Sequence, residues 1–340
     1  MSSEMAILLK QTVTRLFGDL VTEKVLSDAE NGVWPEDLWA ALEENGLTQP
    51  LIPEERAGVG ATWRDTYVIV RAAGYFSAPV PLPETTAAGW LLSQAGIDVP
   101  EGPIGLCRAT DGVVLNEEGK LTGKLHRVPW GRRINHVVFS VADRIVMAST
   151  ESCRLDHGAN VAGEPRDDLT FEDQSVETAV GSLPDAAEHC GALIRSAQIA
   201  GAAEKALEEA VAYANDRVQF GRPIAKFQAI QQSLAVMASE TAAAGCAAEL
   251  AFQAADKGDA GFEIAAAKIR NGEAGDLVAA TAHQVLGAIG FTREHHLNYA
   301  TRRIWSWRAE FGSASRWALK LGRATIERGS ENLWSDLTVR

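Results

Sequence analysis

Apolar positions recur at helical spacing over residues 4–22, where Met5, Leu8, Leu9, Val13, Leu16, Phe17 and Leu20 mark one face. The spacing predicts a core-facing helix. Pro35 opens a second helix at a first-turn position, Trp39, Leu42 and Leu47 follow it, and Gly46 is its stop. Residues 66–76 and 85–95 read as two further helices. The pattern changes near Pro100. Over 104–178 the apolar residues alternate or run in short β-branched blocks, as in Val137-Val138-Phe139-Ser140-Val141 and Arg144-Ile145-Val146-Met147. Turn formers such as Glu117-Glu118-Gly119 separate them. This predicts an insert of several short antiparallel strands. From Ala186 the helical period returns in three long, alanine-rich segments, 187–217, 229–255 and 261–287. Small residues let helices approach closely, as in a four-helix bundle. The chain is therefore expected to be mainly α with a small β domain. Its parts are an N-terminal helical domain (1–103), a middle β domain (104–183) and a C-terminal bundle (184–340).

Composition narrows the class. A chain of 340 residues buries a large core, and 46% hydrophobic with 23% charged residues is ordinary for a soluble globular protein. A formal charge of −13 argues against a nucleic-acid surface and leaves room for a local basic groove. Cys107, Cys153, Cys190 and Cys246 form no CxxC pair, which fits a reducing, cytoplasmic setting without structural zinc. No apolar run is read as a membrane span, and the N-terminus has no signal-peptide core.

The chemistry concentrates on the connection between the first two long helices, Arg217-Val218-Gln219-Phe220-Gly221-Arg222-Pro223-Ile224-Ala225-Lys226-Phe227-Gln228. Arg217 can hold a phosphate by a bidentate fork. Phe220 and Phe227 offer apolar faces, Gln228 both donates and accepts, and Gly221 and Pro223 break the helix. A second stretch is His283-Gln284-Val285-Leu286-Gly287-Ala288-Ile289-Gly290-Phe291. A glycine-rich helix end lets backbone amides approach a pyrophosphate.

Together these stretches resemble the acyl-CoA dehydrogenase family. Its members carry an Arg, Phe-Gly two residues on and Phe-Gln or His-Gln beyond, then a glycine-rich motif whose second paired glycine is Ala288 here. The resemblance implies FAD as cofactor, held in part across a subunit boundary by Arg217, Phe220, Gln228, Gln284, Gly287 and Ala288, with Ser313 near the flavin. It implies an acyl-CoA substrate. A proton leaves Cα to a carboxylate base, and a hydride leaves Cβ for flavin N5. It also implies a homo- or hetero-oligomer (a dimer or dimer of dimers) and an electron-transfer flavoprotein as electron acceptor.

Three departures stand beside the resemblance. The middle β-barrel is shortened, because Gly105-Leu106-Cys107-Arg108-Ala109 lacks the flavin-side loop rich in Thr, Glu, Pro and Ser. Where the family's glutamate stands immediately before Gly-Thr, this chain has Phe311 before Gly312-Ser313, and Glu310 lies one place earlier. The alternative base position on an earlier helix falls at Gly191. Glu310 is thus the one candidate base, and a one-residue offset on a helix would turn its side chain by about 100°. These departures resemble the smaller subunit of heteromeric bacterial dehydrogenases of steroid side chains. A non-catalytic partner chain that lends Arg217 and Gln228 to a neighbour, and an oxidase on the same fold, are the alternatives.

Other residues take plainer readings. Trp130 is either a flavin-flanking aromatic or a core and rim residue. Trp305, Trp307 and Trp317 with Arg302, Arg303, Arg308 and Arg316 read as packing with cation–π contacts. His295-His296 lacks partners at metal-ligand spacing. Lys268 is read as a solvated helix residue.

Overall fold

The structure is a computed structural model, and it describes residues 3–109, 112–181, 185–292 and 295–338. The expected domain boundary between 183 and 184 falls outside the described residues. Five helices come first: α1 (Glu4–Leu20), α2 (Glu23–Glu30), α3 (Glu36–Glu44), α4 (Trp63–Tyr75) and α5 (Leu82–Ala95). Their starts are written locally. The Ser3 hydroxyl accepts from the Ala6 amide, Thr22 accepts from Val25, and Thr62 and Asp65 close a reciprocal capping box. The hydrophobic pattern does not announce α2, because among its residues only Leu26 is buried. Pro35 stands one place outside α3 as its N-cap.

Two four-stranded sheets follow. Their strands are β1 (Ile104–Leu106), β2 (Val114–Leu115), β3 (Lys120–Pro129), β4 (His136–Val141), β5 (Arg144–Ser149), β6 (Arg154–Asp156), β7 (Arg166–Ser175) and β8 (Glu177–Val180). One sheet has the order β1-β4-β5-β8 and the other β2-β3-β7-β6. Leu121, Leu125, Phe139, Val146, Leu169 and Phe171 fill the space between them. One pairing departs from the antiparallel expectation: β1 runs parallel to β4, with Ile104 opposite His136. The chain leaves the first sheet after β1, builds β2 and β3 in the second, and returns in the same direction. A long excursion of this kind is what a parallel pair requires.

The C-terminal part holds α6 (Ala186–Asp216), a hairpin of β9 (Val218–Gln219) and β10 (Arg222–Pro223), α7 (Gln228–Ala255), α8 (Gly261–Leu286), α9 (Leu297–Trp307), α10 (Ala314–Arg328) and α11 (Leu333–Thr338). Where the sequence shows only a helix break, the chain turns as a tight hairpin with Phe220 at φ 52° and Gly221 at φ 78°. Two successive positive φ values give the turn whose twist matches a hairpin.

The central rod is α6, buried on every face from Cys190 to Ala203. It packs on α4, α7, α8 and α9. The α4–α6 crossing is tight enough to exclude any Cβ. One added at Gly74 would meet the Gln198 carbonyl oxygen at 2.1 Å, and one at Gly201 would meet the Arg71 carbonyl oxygen at 2.0 Å. By contrast α7 keeps an open face, with Val236 and Leu250 exposed. By length and composition it is apolar enough to cross a bilayer, which amends the reading that no run qualifies. It is seated against α6 and α8 as a bundle helix.

Gly201→Ala is expected to lower unfolding stability by about 1–3 kcal/mol or more, because two backbones already in contact must separate. A urea midpoint unchanged from the parent would contradict this crossing geometry.

Candidate active site

The site grows from one face of α6. Gly191, Arg195 and Gln198 recur at i, i+4 and i+7, so they stack on one side of the helix. Facing them are Glu84 of α5, Glu164 and Arg166 at the start of β7, and the connection from α9 to α10. That connection reverses sharply, with Phe311 at φ 52° and Gly312 at φ 95°. The Trp317 indole N–H fixes it by donating to the Phe311 carbonyl at 2.8 Å.

This reversal settles where Glu310 points. It lies beyond the end of α9, so helical rotation does not set its direction. Arg195 Nε donates to Glu310 Oε2 at 2.8 Å, and Arg166 Nε donates to Oε1 at 2.7 Å. Arg195 also pairs with Glu84 at 2.5 Å, and Arg166 with Glu164 at 2.8 Å. Glu164 in turn has Arg303 Nε 3.1 Å away and accepts from the Trp307 indole at 3.1 Å. The result is a chain of ion pairs, Glu84–Arg195–Glu310–Arg166–Glu164–Arg303, in which every member except the Glu310 rim is almost fully buried. Burial alone would raise the Glu310 pKa. The charges of Arg166 and Arg195 overcome it and hold the carboxyl at about 2. Efficient proton abstraction needs a base with a pKa near the working pH. A carboxylate gripped by two guanidiniums is far from that.

Phe311 goes the other way. Its ring lies on Gly191, where a Cβ would come within 2.0 Å of Phe311 Cδ1. The Arg195 guanidinium sits over the same ring, 5.6 Å from its centre. The two positions at which a base is expected from the family pattern are therefore in contact with each other. One is a bare backbone and the other a phenyl ring.

Lys268 reverses its expected setting. It is fully buried, and Nζ donates to the carbonyls of Trp307 at 3.1 Å and Arg308 at 2.9 Å. These are among the last carbonyls of α9, which have no partner within the helix, and a buried donor is needed there. Burial pushes its pKa down to about 7, against the attraction of Glu310. Arg302, Arg303, Arg308 and Arg316 each reach a carboxylate, of Glu30, Glu164, Asp276 and Glu188 respectively. Trp130 is 6% exposed and meets Trp34 edge-on at 6.5 Å.

The expected cofactor residues fall into two groups. Arg217, Phe220, Gln228, Gln284, Gly287 and Ala288 all sit at the far end of the bundle, and all are exposed. Phe220 is 92% exposed, and among the described residues Arg217 makes no ion pair. Gly287 is at φ 66° with open space where a Cβ would stand. Beside them His283 stacks between Phe291, at 4.2 Å, and Trp305, at 5.4 Å. Ser313 belongs to the other group, beside Glu310 and Phe311 in a cleft of about 430 Å³ shared with Arg108 and Arg127 of the β domain. Gly191 and Arg217 lie near opposite ends of α6, roughly 40 Å apart at the helical rise of about 1.5 Å per residue. No single dinucleotide spans both groups within one chain.

Sequence reasoning passed over Glu84, Arg166 and Glu164. One signal was available: Arg195 is a lone charge in the apolar run Ala192-Leu193-Ile194-Arg195-Ser196-Ala197, which demands a buried partner.

Two family models match the chain. The acyl-CoA dehydrogenase N-terminal domain covers residues 3–98, and the acyl-CoA dehydrogenase C-terminal domain covers residues 189–320. Acyl-CoA dehydrogenase IpdE2 of Mycobacterium tuberculosis is 30% identical, over 88% of this chain and 88% of the relative. IpdE2 of Mycolicibacterium smegmatis is 29% identical, over 88% of this chain and 92% of the relative. Among solved structures, the ChsE4-ChsE5 complex from Mycobacterium tuberculosis superposes with a TM-score of 0.85 at 21% identity, covering 95% of this chain and 97% of that one. The Tcur3481-Tcur3483 steroid ACAD G363A variant superposes with a TM-score of 0.87 at 23% identity, covering 96% and 99%.

Glu310→Gln leaves two buried guanidiniums without their shared anion and is expected to cost about 3–5 kcal/mol of stability. The Glu310 pKa is depressed in the folded state. Its contribution is therefore full above the unfolded carboxylate range and is lost as pH falls through about 2. Lys268 gives a slope of the same sign in a higher window: between about 7 and its ordinary value of 10.5 the unfolded chain binds the extra proton, so the cost of burying the lysine is relieved and stability rises with pH there. Lys268→Met should flatten that rise. Urea titrations across pH check both; an E310Q midpoint equal to the parent, or an unchanged alkaline slope in K268M, would contradict them.

Proposed function

This chain belongs to the acyl-CoA dehydrogenase family, the FAD-dependent oxidoreductases that act on the CH–CH bond of acyl-CoA thioesters, and from that premise we propose that it is the base-less subunit of a heteromeric dehydrogenase. The observation that carries this reading is the Phe311 ring packed on Gly191. A base must come within hydrogen-bond reach of the α-proton. Here a phenyl ring takes one expected base position, a glycine the other, and the neighbouring carboxylate of Glu310 is neutralised by Arg166 and Arg195. The proton-abstracting carboxylate is then the partner's.

What this chain contributes is binding. Arg217 and Gln228 hold the phosphate and polar edge of a dinucleotide on the neighbouring subunit, Phe220 covers it, and Gln284, Gly287 and Ala288 supply a close backbone approach. Bound FAD supplies the hydride acceptor. Ser313 belongs to the chain's own cleft. The open, apolar face of α7 supports assembly through the bundle, as a dimer or dimer of dimers. Domain limits at 103 and 183, an electron-transfer flavoprotein as acceptor and a cytoplasmic location belong to the same reading. A steroid-derived acyl group as the substrate class belongs to the same reading; a steroid ACAD shares the fold.

The chain should be tested alone and with its co-expressed partner. Alone it is expected to give no acyl-CoA-dependent bleaching of flavin absorbance; the heteromer should give it. Bleaching by the isolated chain would sink the reading. Arg217→Ala should lower flavin retention in the heteromer by roughly 10- to 100-fold, the worth of a charge-assisted hydrogen bond of about 1.5–3 kcal/mol, with the unfolding curve unchanged. Equal flavin occupancy in variant and parent would remove Arg217 from the site.

A further inference from the structure

A second cavity, of about 240 Å³, lies on the other side of α6. Ala186, His189, Cys190 and Leu193 line it at i, i+3, i+4 and i+7, the face turned away from Gly191, Arg195 and Gln198. Two tryptophans form another wall. Trp63, at the start of α4, meets Trp90 of α5 edge-on at 5.2 Å and Phe252 of α7 at 5.7 Å. The turn from α7 to α8 completes the lining with small residues, Gly258, Ala260 and Gly261. That turn is pinned, because the Asp256 carboxylate accepts from the Trp63 amide at 2.7 Å and from the Arg64 amide at 3.1 Å. The space is therefore held open between fixed elements. Apolar walls with nothing against them forgo dispersion contacts, and an apolar ligand restores them.

The polar groups of the lining are unengaged. His189 Nδ1 faces the Asp185 carbonyl at 3.1 Å. A carbonyl only accepts, so Nδ1 carries the proton, and Nε2 of the neutral ring is left as an acceptor. The exposed Asp259 carboxylate has no hydrogen bond or ion pair among the described residues. It feels the charge of Arg328, which is itself clamped to Asp336. Trp63 is 3% exposed, and its indole N–H has no partner. A buried donor left in this way is rare.

We propose that this cavity is a binding site for a neutral, ring-sized apolar molecule carrying one hydroxyl, a phenol or an alicyclic alcohol of two fused rings. An apolar cavity of about 150 Å³ takes a single benzene ring, and this one is larger by enough for a second. A hydroxyl both donates and accepts. It donates to Asp259 or to His189 Nε2 and accepts from the Trp63 indole. The Asp259 charge at the rim repels a carboxylate or a phosphate. The inference stands apart from the subunit reading, since neither Phe311 and Glu310 nor the exposed residues at the far end of the bundle line this cavity.

The experiment is calorimetric titration of the full chain with 2-naphthol. Saturable one-to-one binding is expected. The methyl ether of 2-naphthol cannot donate and should bind more weakly by roughly tenfold, the worth of one hydrogen bond to a charged group. Asp259→Ala, at an exposed turn position, should weaken 2-naphthol with an unchanged unfolding curve. Ala255→Phe fills the space from the last turn of α7 and should abolish binding. Absence of saturable binding, or equal affinity in the parent and Ala255→Phe, overturns the proposal. Equal affinity for the ether overturns the hydroxyl as the recognised group. Displacement of 2-naphthol by coenzyme A also overturns it, because the cavity would then belong to the thioester carrier.

Discussion

The structure hangs on a line of buried charges. Glu84, Arg195, Glu310, Arg166, Glu164 and Arg303 alternate in sign through the seam where α5, α6, β7 and the end of α9 meet. Removing such charges from water is expensive, and only close pairing with good geometry offsets it. The line is therefore satisfied only when the N-terminal helices, the β domain and the C-terminal bundle come together in one arrangement. It is a condition on assembly as much as a source of stability. Lys268 extends it, closing the end of α9 from beneath.

That condition bears directly on chemistry. The carboxylate nearest the expected base position is consumed as the central anion of the line, and its pKa is driven away from any working pH. The phenyl ring beside it fills the space that Gly191 leaves open. The cleft thus presents a phenyl ring, a glycine and an ion-paired carboxylate where the family pattern leads one to expect a base. At the far end of α6, Arg217, Gln228 and the glycine turn at Gly287 are exposed. The length of α6 separates the two groups.

Much of this was legible in the chain. Hydrophobic period and local punctuation give most of the helices and the β insert, because amphipathic spacing, caps and turn residues act over a few residues. Single-residue identity likewise gives the loss of a base at 311, since a phenyl ring takes no proton. The short α2, with one buried residue, carries too little pattern to be seen, and the parallel β1–β4 pair depends on where a long excursion returns. The side chains' fates needed the tertiary structure. Lys268 looks like any exposed helix lysine until the carbonyl ends of α9 are found above it. Glu310 looks like a displaced base until Arg166 and Arg195, 144 and 115 positions away in sequence, close on it. Spacing along a chain fixes which residues share a face; which charges share a cavity is decided by long-range packing, and electrostatics at close quarters follows from that alone.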